Sequence, residues 1–93
     1  MNKWTVLISE SAQREFYNLD KEMRERFKKA FEQLEEKPYL PRSGADIKKL
    51  EGSFDPALYR IRVGEYRAIY AIIEKEVRIT TILHRSKGYK WLE

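Results

Sequence analysis

Ninety-three residues with 19 Lys+Arg, 15 Asp+Glu, one histidine and no cysteine describe one basic domain with a single modest core, residues 1–93 reading as one unit. That inventory excludes a two-domain enzyme, disulfides, thiolate chemistry and a multi-histidine metal cluster, and neither cofactor nor metal is expected. No apolar run approaches membrane-spanning length, and Trp4 to Ile8, followed at once by Glu10, is too short for a signal peptide. A cytoplasmic protein without a membrane partner is expected.

Lys3 to Ser9 reads as a first strand, placed beside the central hairpin described below. Ser9 or Ser11 caps a short helix in which Ala12, Phe16 and Leu19 share one side. Asp20 is a fresh N-cap. Met23, Phe27, Ala30, Phe31 and Leu34 then recur at three- and four-residue steps through a longer helix that ends near Glu36 and is stopped by Lys37-Pro38. Glu22/Arg26, Glu25/Lys29 and Lys28/Glu32, spaced by four, mark its solvated side.

Pro38, Pro41 and Gly44 make residues 37–47 a surface loop that carries Arg42, and Ile47 to Leu50 reads as a short strand. Arg42, Lys48 and Lys49 add positive charge on this approach to the hairpin, and of these Lys49 is kept as a phosphate contact.

Leu58 to Ile73 is a β-hairpin closed by Gly64-Glu65, with glycine at the first central position. Its register pairs Val63 with Tyr66, Arg62 with Arg67, Ile61 with Ala68 and Tyr59 with Tyr70. Period-two alternation then sends Tyr59, Ile61, Val63, Tyr66, Ala68, Tyr70 and Ile72 to a face covered by the helices. The opposite face carries Arg60, Arg62 and Arg67 beside Ile69 and Ala71. Arg62 facing Arg67 costs up to about 1 kcal/mol, so the pair needs an acidic partner or an anionic ligand, and three guanidiniums on one sheet face suggest phosphate.

Glu74-Lys75-Glu76 is a turn and Val77 to Leu83 the last strand. Pairing Ile73 with Arg78 buries Val77, Ile79, Thr81 and Leu83, and sets His84 opposite Arg67 on the open face. The class is α+β, a mostly antiparallel sheet covered on one face by two helices, in the order β-α-α-β-β-β with the short stretch at 47–50 preceding the hairpin and a tail or short helix at the end. Residues 1–57 hold 11 Lys+Arg against 11 Asp+Glu and residues 58–93 hold 8 against 4, so the entire excess of +4 belongs to the hairpin, last strand and tail.

Lys49-Leu50-Glu51-Gly52, the run Leu58-Tyr59-Arg60-Ile61-Arg62-Val63-Gly64-Glu65-Tyr66-Arg67-Ala68-Ile69-Tyr70, then His84-Arg85 and Tyr89 resemble the RelE family of toxins, over nearly the whole chain. The resemblance implies a ribosome-dependent endoribonuclease that cuts messenger RNA in the decoding site by attack of the RNA's own 2′-hydroxyl, and that is held inactive by a RelB-like antitoxin in a hetero-oligomer. It implies mRNA and the ribosome as the other partners. Carried over by residue, Arg67 and Arg62 stabilise the phosphoryl group, Arg85 is a second phosphate-stabilising arginine, and Tyr89 is the C-terminal aromatic for stacking or proton transfer. Arg60 and Arg62 fall where family members carry basic residues on the strand before the turn, and with Lys49 they are the expected RNA-binding residues.

One departure matters. Some family members carry lysines as acid and base candidates on the first hairpin strand, where this chain has arginines, which hold their protons. His84, whose ordinary pKa lies near neutrality, becomes the base candidate, beside the reading of a strand-end histidine with no catalytic duty. A ParE-like inhibitor that binds DNA gyrase on the same fold, and a non-catalytic basic binding module, are the alternative functions. Tyr59, Tyr66 and Tyr70 are read as core, and Trp91 as packing or as a surface the antitoxin covers.

Overall fold

The computed structural model describes residues 3–52 and 54–87, so Tyr89 and Trp91 lie outside the described residues. Strand β1 (Thr5–Ile8) leads into helices α1 (Glu10–Tyr17) and α2 (Lys21–Glu36), followed by β2 (Asp46–Lys49), β3 (Leu58–Val63), β4 (Tyr66–Ile73) and β5 (Glu76–His84). These five strands form one sheet in the order β1-β5-β4-β3-β2. The β1–β5 pair is parallel and the rest are antiparallel.

Both helices start where a side chain captures an orphan amide. Ser9 Oγ accepts from Ala12 N–H at 3.1 Å, and Asp20 Oδ1 accepts from Met23 N–H at 2.8 Å. At the far end of α2, Arg42 reaches back and donates to the carbonyls of Gln33, Lys37 and Leu40. The positive charge of the loop is thereby spent on the orphan acceptors of a helix end. Of the expected four-residue ion pairs on α2, none closes among the described residues, and Lys28 pairs with Glu25 at 3.3 Å instead.

The apolar stripes pack onto one side of the sheet. Ala12, Phe16, Phe27, Phe31 and Leu34 meet Ile47, Ile61, Ala68, Tyr70, Val77, Ile79 and Ile82 in a single cluster. Tyr70 is fully buried, stacks on Tyr59 with ring centres 5.7 Å apart, and donates its hydroxyl to the Pro38 carbonyl at 2.6 Å. The tyrosines of the hairpin are packing residues, as the alternation predicts.

Two expectations change. The first strand does not sit beside the hairpin but pairs with β5, because a parallel neighbour is reached by crossing over through the helices. The register of β5 also differs. A two-residue turn at Glu74-Lys75, with Glu74 at φ 54°, pairs Ile73 with Glu76 and not with Arg78. The ladder then shifts by one residue between Ile69 and Tyr70, so Ile79 faces Tyr70 while Thr81 faces Ile69.

That shift has a reason in the side chains. Val77, Ile79 and Ile82 are all buried, yet 79 and 82 are three apart, and strict alternation cannot send both inward. An extra residue at Thr80 restores the fit, at the cost of a disturbed ladder. The Thr80 carbonyl accepts from Ser9 Oγ at 3.1 Å and Ser11 Oγ at 3.4 Å, so the start of α1 receives the group there. Past this bulge the faces exchange: Ile82 is buried in place of Thr81 and Leu83, and His84 faces Tyr66.

Candidate functional site

The hairpin turn sets the site. Gly64 holds φ 60°, which glycine alone adopts without strain at the first position of such a turn, and Val63 pairs with Tyr66 across it. Arg62 and Arg67 follow as directly facing residues, with Cα atoms about 5 Å apart by the geometry of such pairs. Arg60 lies two residues on, opposite Ile69.

Strand β2 supplies what the like-charged pair requires. Asp46 is opposite Arg62 and Lys48 opposite Arg60, so both share the arginine face, while Ile47 and Lys49 point to the other side. Asp46 Oδ2 lies 2.8 Å from Arg62 Nη2, and its Oδ1 lies 3.0 Å from Arg60 Nη1, which also donates to the Asp46 carbonyl at 2.9 Å. The hydrogen bond from Arg60 holds the Asp46 carboxyl below the usual carboxylate range, against the opposing effect of burial, and the charges of both arginines act in the same direction. One carboxylate therefore anchors two guanidiniums. With five donors on its fork and about half of its side chain exposed, Arg62 keeps N–H groups for a ligand.

Beside this cluster lie Ile69 and Ala71, buried although they belong to the open face. The arginines thus border an apolar strip. Arg85 sits at the hairpin end, its Nε 2.7 Å from Glu65 Oε2 and its backbone N–H bonded to the Glu65 carbonyl.

A family model for the ParE toxin of the type II toxin-antitoxin system parDE matches residues 6–89. The chain belongs to the ParE toxin family, within the RelE/ParE superfamily. Its fold is also that of solved RelE toxins. The archaeal RelE of a RelE–RelB complex from Pyrococcus horikoshii is 33% identical, with a TM-score of 0.79 over 95% of this chain and 100% of that one. A RelB–RelE complex from Methanococcus jannaschii gives 25% identity and 0.74 over 94% and 99%, and the E. coli RelBE complex gives 26% and 0.67 over 85% and 93%. No curated protein sequence matches.

In this ParE-family toxin the expected site residues divide. Arg60, Arg62 and Arg67 share the open face as the alternation predicts, and Arg85 stands at its turn end. Lys49 does not join them: it pairs with Tyr59 on the helix-covered side, and Lys48 takes the place on the arginine face. His84 is not opposite Arg67, which faces Leu83 instead. The imidazole stands edge-on to Tyr66 with ring centres 5.0 Å apart, and its Nδ1 accepts from the Ser86 backbone N–H at 3.1 Å. That acceptor role assigns the neutral ring's proton to Nε2 and occupies its lone pair. Sequence reasoning passed over Asp46 and preferred Lys49 to Lys48. The signal was present in Asp46-Ile47-Lys48, where an inward Ile47 obliges its two neighbours to face outward.

Proposed function

We propose that this toxin is a ribosome-dependent endoribonuclease that cleaves mRNA in the decoding site. The observation that carries the reading is the anchored arginine cluster, in which Arg62 and Arg67 face each other while Asp46 orients Arg62 and Arg60. Cleavage joins the 2′-oxygen to the adjacent phosphorus and releases the 5′-oxygen, so negative charge grows on the phosphoryl oxygens before protons are redistributed. Arg67 and Arg62 donate to those oxygens and Arg85 holds a neighbouring phosphate, while the largely buried Arg60 acts by fixing Asp46. Lys48, on the same face as Arg60, is the exchangeable proton carrier that the arginines are not, and it takes the acid-base role that His84, turned to Tyr66, is badly placed to fill. Tyr89 is proposed to stack on a base.

The partners follow. A cognate RelB-like antitoxin forms a hetero-oligomer with the toxin and lays an acidic segment over Arg60, Arg62 and Arg67; the RelE neighbours from P. horikoshii and M. jannaschii are complexes with RelB. The match to a ParE family model favours one second reading, a gyrase inhibitor that cuts nothing. Primer extension on mRNA bound to programmed ribosomes separates the two. Cuts in the decoding-site codon that disappear with Arg67→Ala support the nuclease; intact mRNA together with inhibited gyrase supercoiling transfers the assignment to the second reading.

A further inference from the structure

A groove of about 380 Å³ runs between α2 and the β3–β4 turn, on the flank of the sheet next to the arginine face. Among the described residues four cations line it, Arg26, Lys29, Arg42 and Arg62, against one carboxylate, Asp46. Two of those cations are already committed. Arg42 is bonded to the carbonyls that end α2, and Arg62 to Asp46, whose charge is shared with Arg60.

Arg26 and Lys29 differ from them. Glu22 and Glu25 stand four residues before them but close no ion pair with either among the described residues, and Glu25 is taken by Lys28. The Arg26 guanidinium instead lies over the hairpin turn, where a Cβ on Gly64 would stand 3.0 Å from its Nη1, so the glycine leaves room for the cation. Across the groove nothing lies within 4 Å of where a Cβ on Gly44 would be, and the wall there is open. Two cations thus line a small open recess in which, among the described residues, no acid pairs with them.

We propose that this groove is a second phosphate-binding site, which holds the backbone of single-stranded RNA as it runs off the arginine face; the proposal rests on the ribonuclease reading above. Asp46 and Arg62 belong to both places, so a strand held at the arginine face passes directly across β2 into the groove. A peptide helix, about 10–12 Å across with its side chains, is too wide for a recess of this size, whereas a phosphate between two cations fits it.

The test is fluorescence anisotropy of the full chain with a short labelled single-stranded RNA whose 2′-O-methyl riboses prevent cleavage. Arg26→Gln/Lys29→Gln is expected to weaken binding roughly tenfold at moderate salt and to reduce the salt slope by about 1.4, about 0.7 for each lost phosphate contact. Lys29→Gln alone, a solvent-exposed change that leaves the turn packing intact, is expected to give about half that slope change. Lys21→Gln/Lys28→Gln on the same helix is expected to change neither. A double variant that binds like this control overturns the groove assignment and leaves the nuclease reading standing. Weakened capture of the antitoxin with unchanged RNA affinity likewise overturns it, in favour of a peptide site. Failure of the wild type to bind RNA overturns the groove assignment alone, since the nuclease reading is decided on ribosome-bound mRNA.

Discussion

Asp46 joins Arg60 and Arg62 through opposite oxygens of one carboxylate, at 3.0 and 2.8 Å, and so sets the spacing of the two guanidiniums on the open face. The two halves of this bridge are not equal. Arg60 has a side chain only 13% exposed, so it cannot exchange its partner for water, whereas Arg62 is about half exposed. Asp46→Ala is expected to cost about 1–3 kcal/mol, nearly all through Arg60, since an exposed pair contributes only about 0–1 kcal/mol. Urea unfolding measures it.

The same bridge predicts a pH dependence. Asp46 has a folded pKa below its ordinary 3.8, so the unfolded chain takes up the proton first. Its stabilisation is present above the ordinary value and is lost as pH falls through the depressed one. The urea midpoints of wild type and Asp46→Asn are expected to differ by a constant amount near neutrality and to converge only below about pH 4. A gap that widens in acid contradicts the assignment.

Arg67→Ala is expected to reduce single-turnover cleavage of ribosome-bound mRNA by about 10²–10³-fold, the usual consequence of removing one donor from a developing oxyanion. Circular dichroism is expected to be unchanged. A loss below about tenfold removes Arg67 from the proposed transition-state contacts.

The outward and inward lysines of β2 allow a paired comparison. Lys48→Gln is expected to lower cleavage by about 10²-fold, the scale of a lost proton-transfer group, while Lys49→Gln leaves it within a few-fold of wild type. His84→Ala is expected to behave like Lys49→Gln in cleavage but to lose about 0.5–1.5 kcal/mol of stability with the Tyr66 contact. Equal effects at Lys48 and Lys49 sink the assignment of faces.

Tyr70→Phe leaves the buried Pro38 carbonyl without its 2.6 Å donor and is expected to cost about 1–3 kcal/mol by urea unfolding. Burial holds the Tyr70 hydroxyl well above the ordinary tyrosine range, so the neutral donor is the folded form. The stabilisation is present below pH 10 and is lost as pH rises through the raised value, and the difference from Tyr70→Phe is expected to shrink in strong alkali.

Local patterns determined a large part of this protein. The caps at Ser9 and Asp20, the apolar stripe from Phe27 to Leu34, and the register around Gly64 are each set by residues a few positions apart, and each was legible because the interactions involved are themselves local. The juxtaposition of Arg62 and Arg67 follows from a two-residue turn alone. Tertiary structure decided what those arginines meet. Asp46 reaches Arg60 and Arg62 from 14 and 16 positions earlier in the sequence, across a loop whose length says nothing of register, and β1 reaches β5 only by way of both helices. The place of His84 was settled by the spacing of Ile79 and Ile82, which a core of fixed shape can bury together only by admitting one extra residue at Thr80. A pattern of period two carries the face of a side chain only as far as the first bulge, and the bulge is chosen by packing against α1, which no stretch of β5 contains.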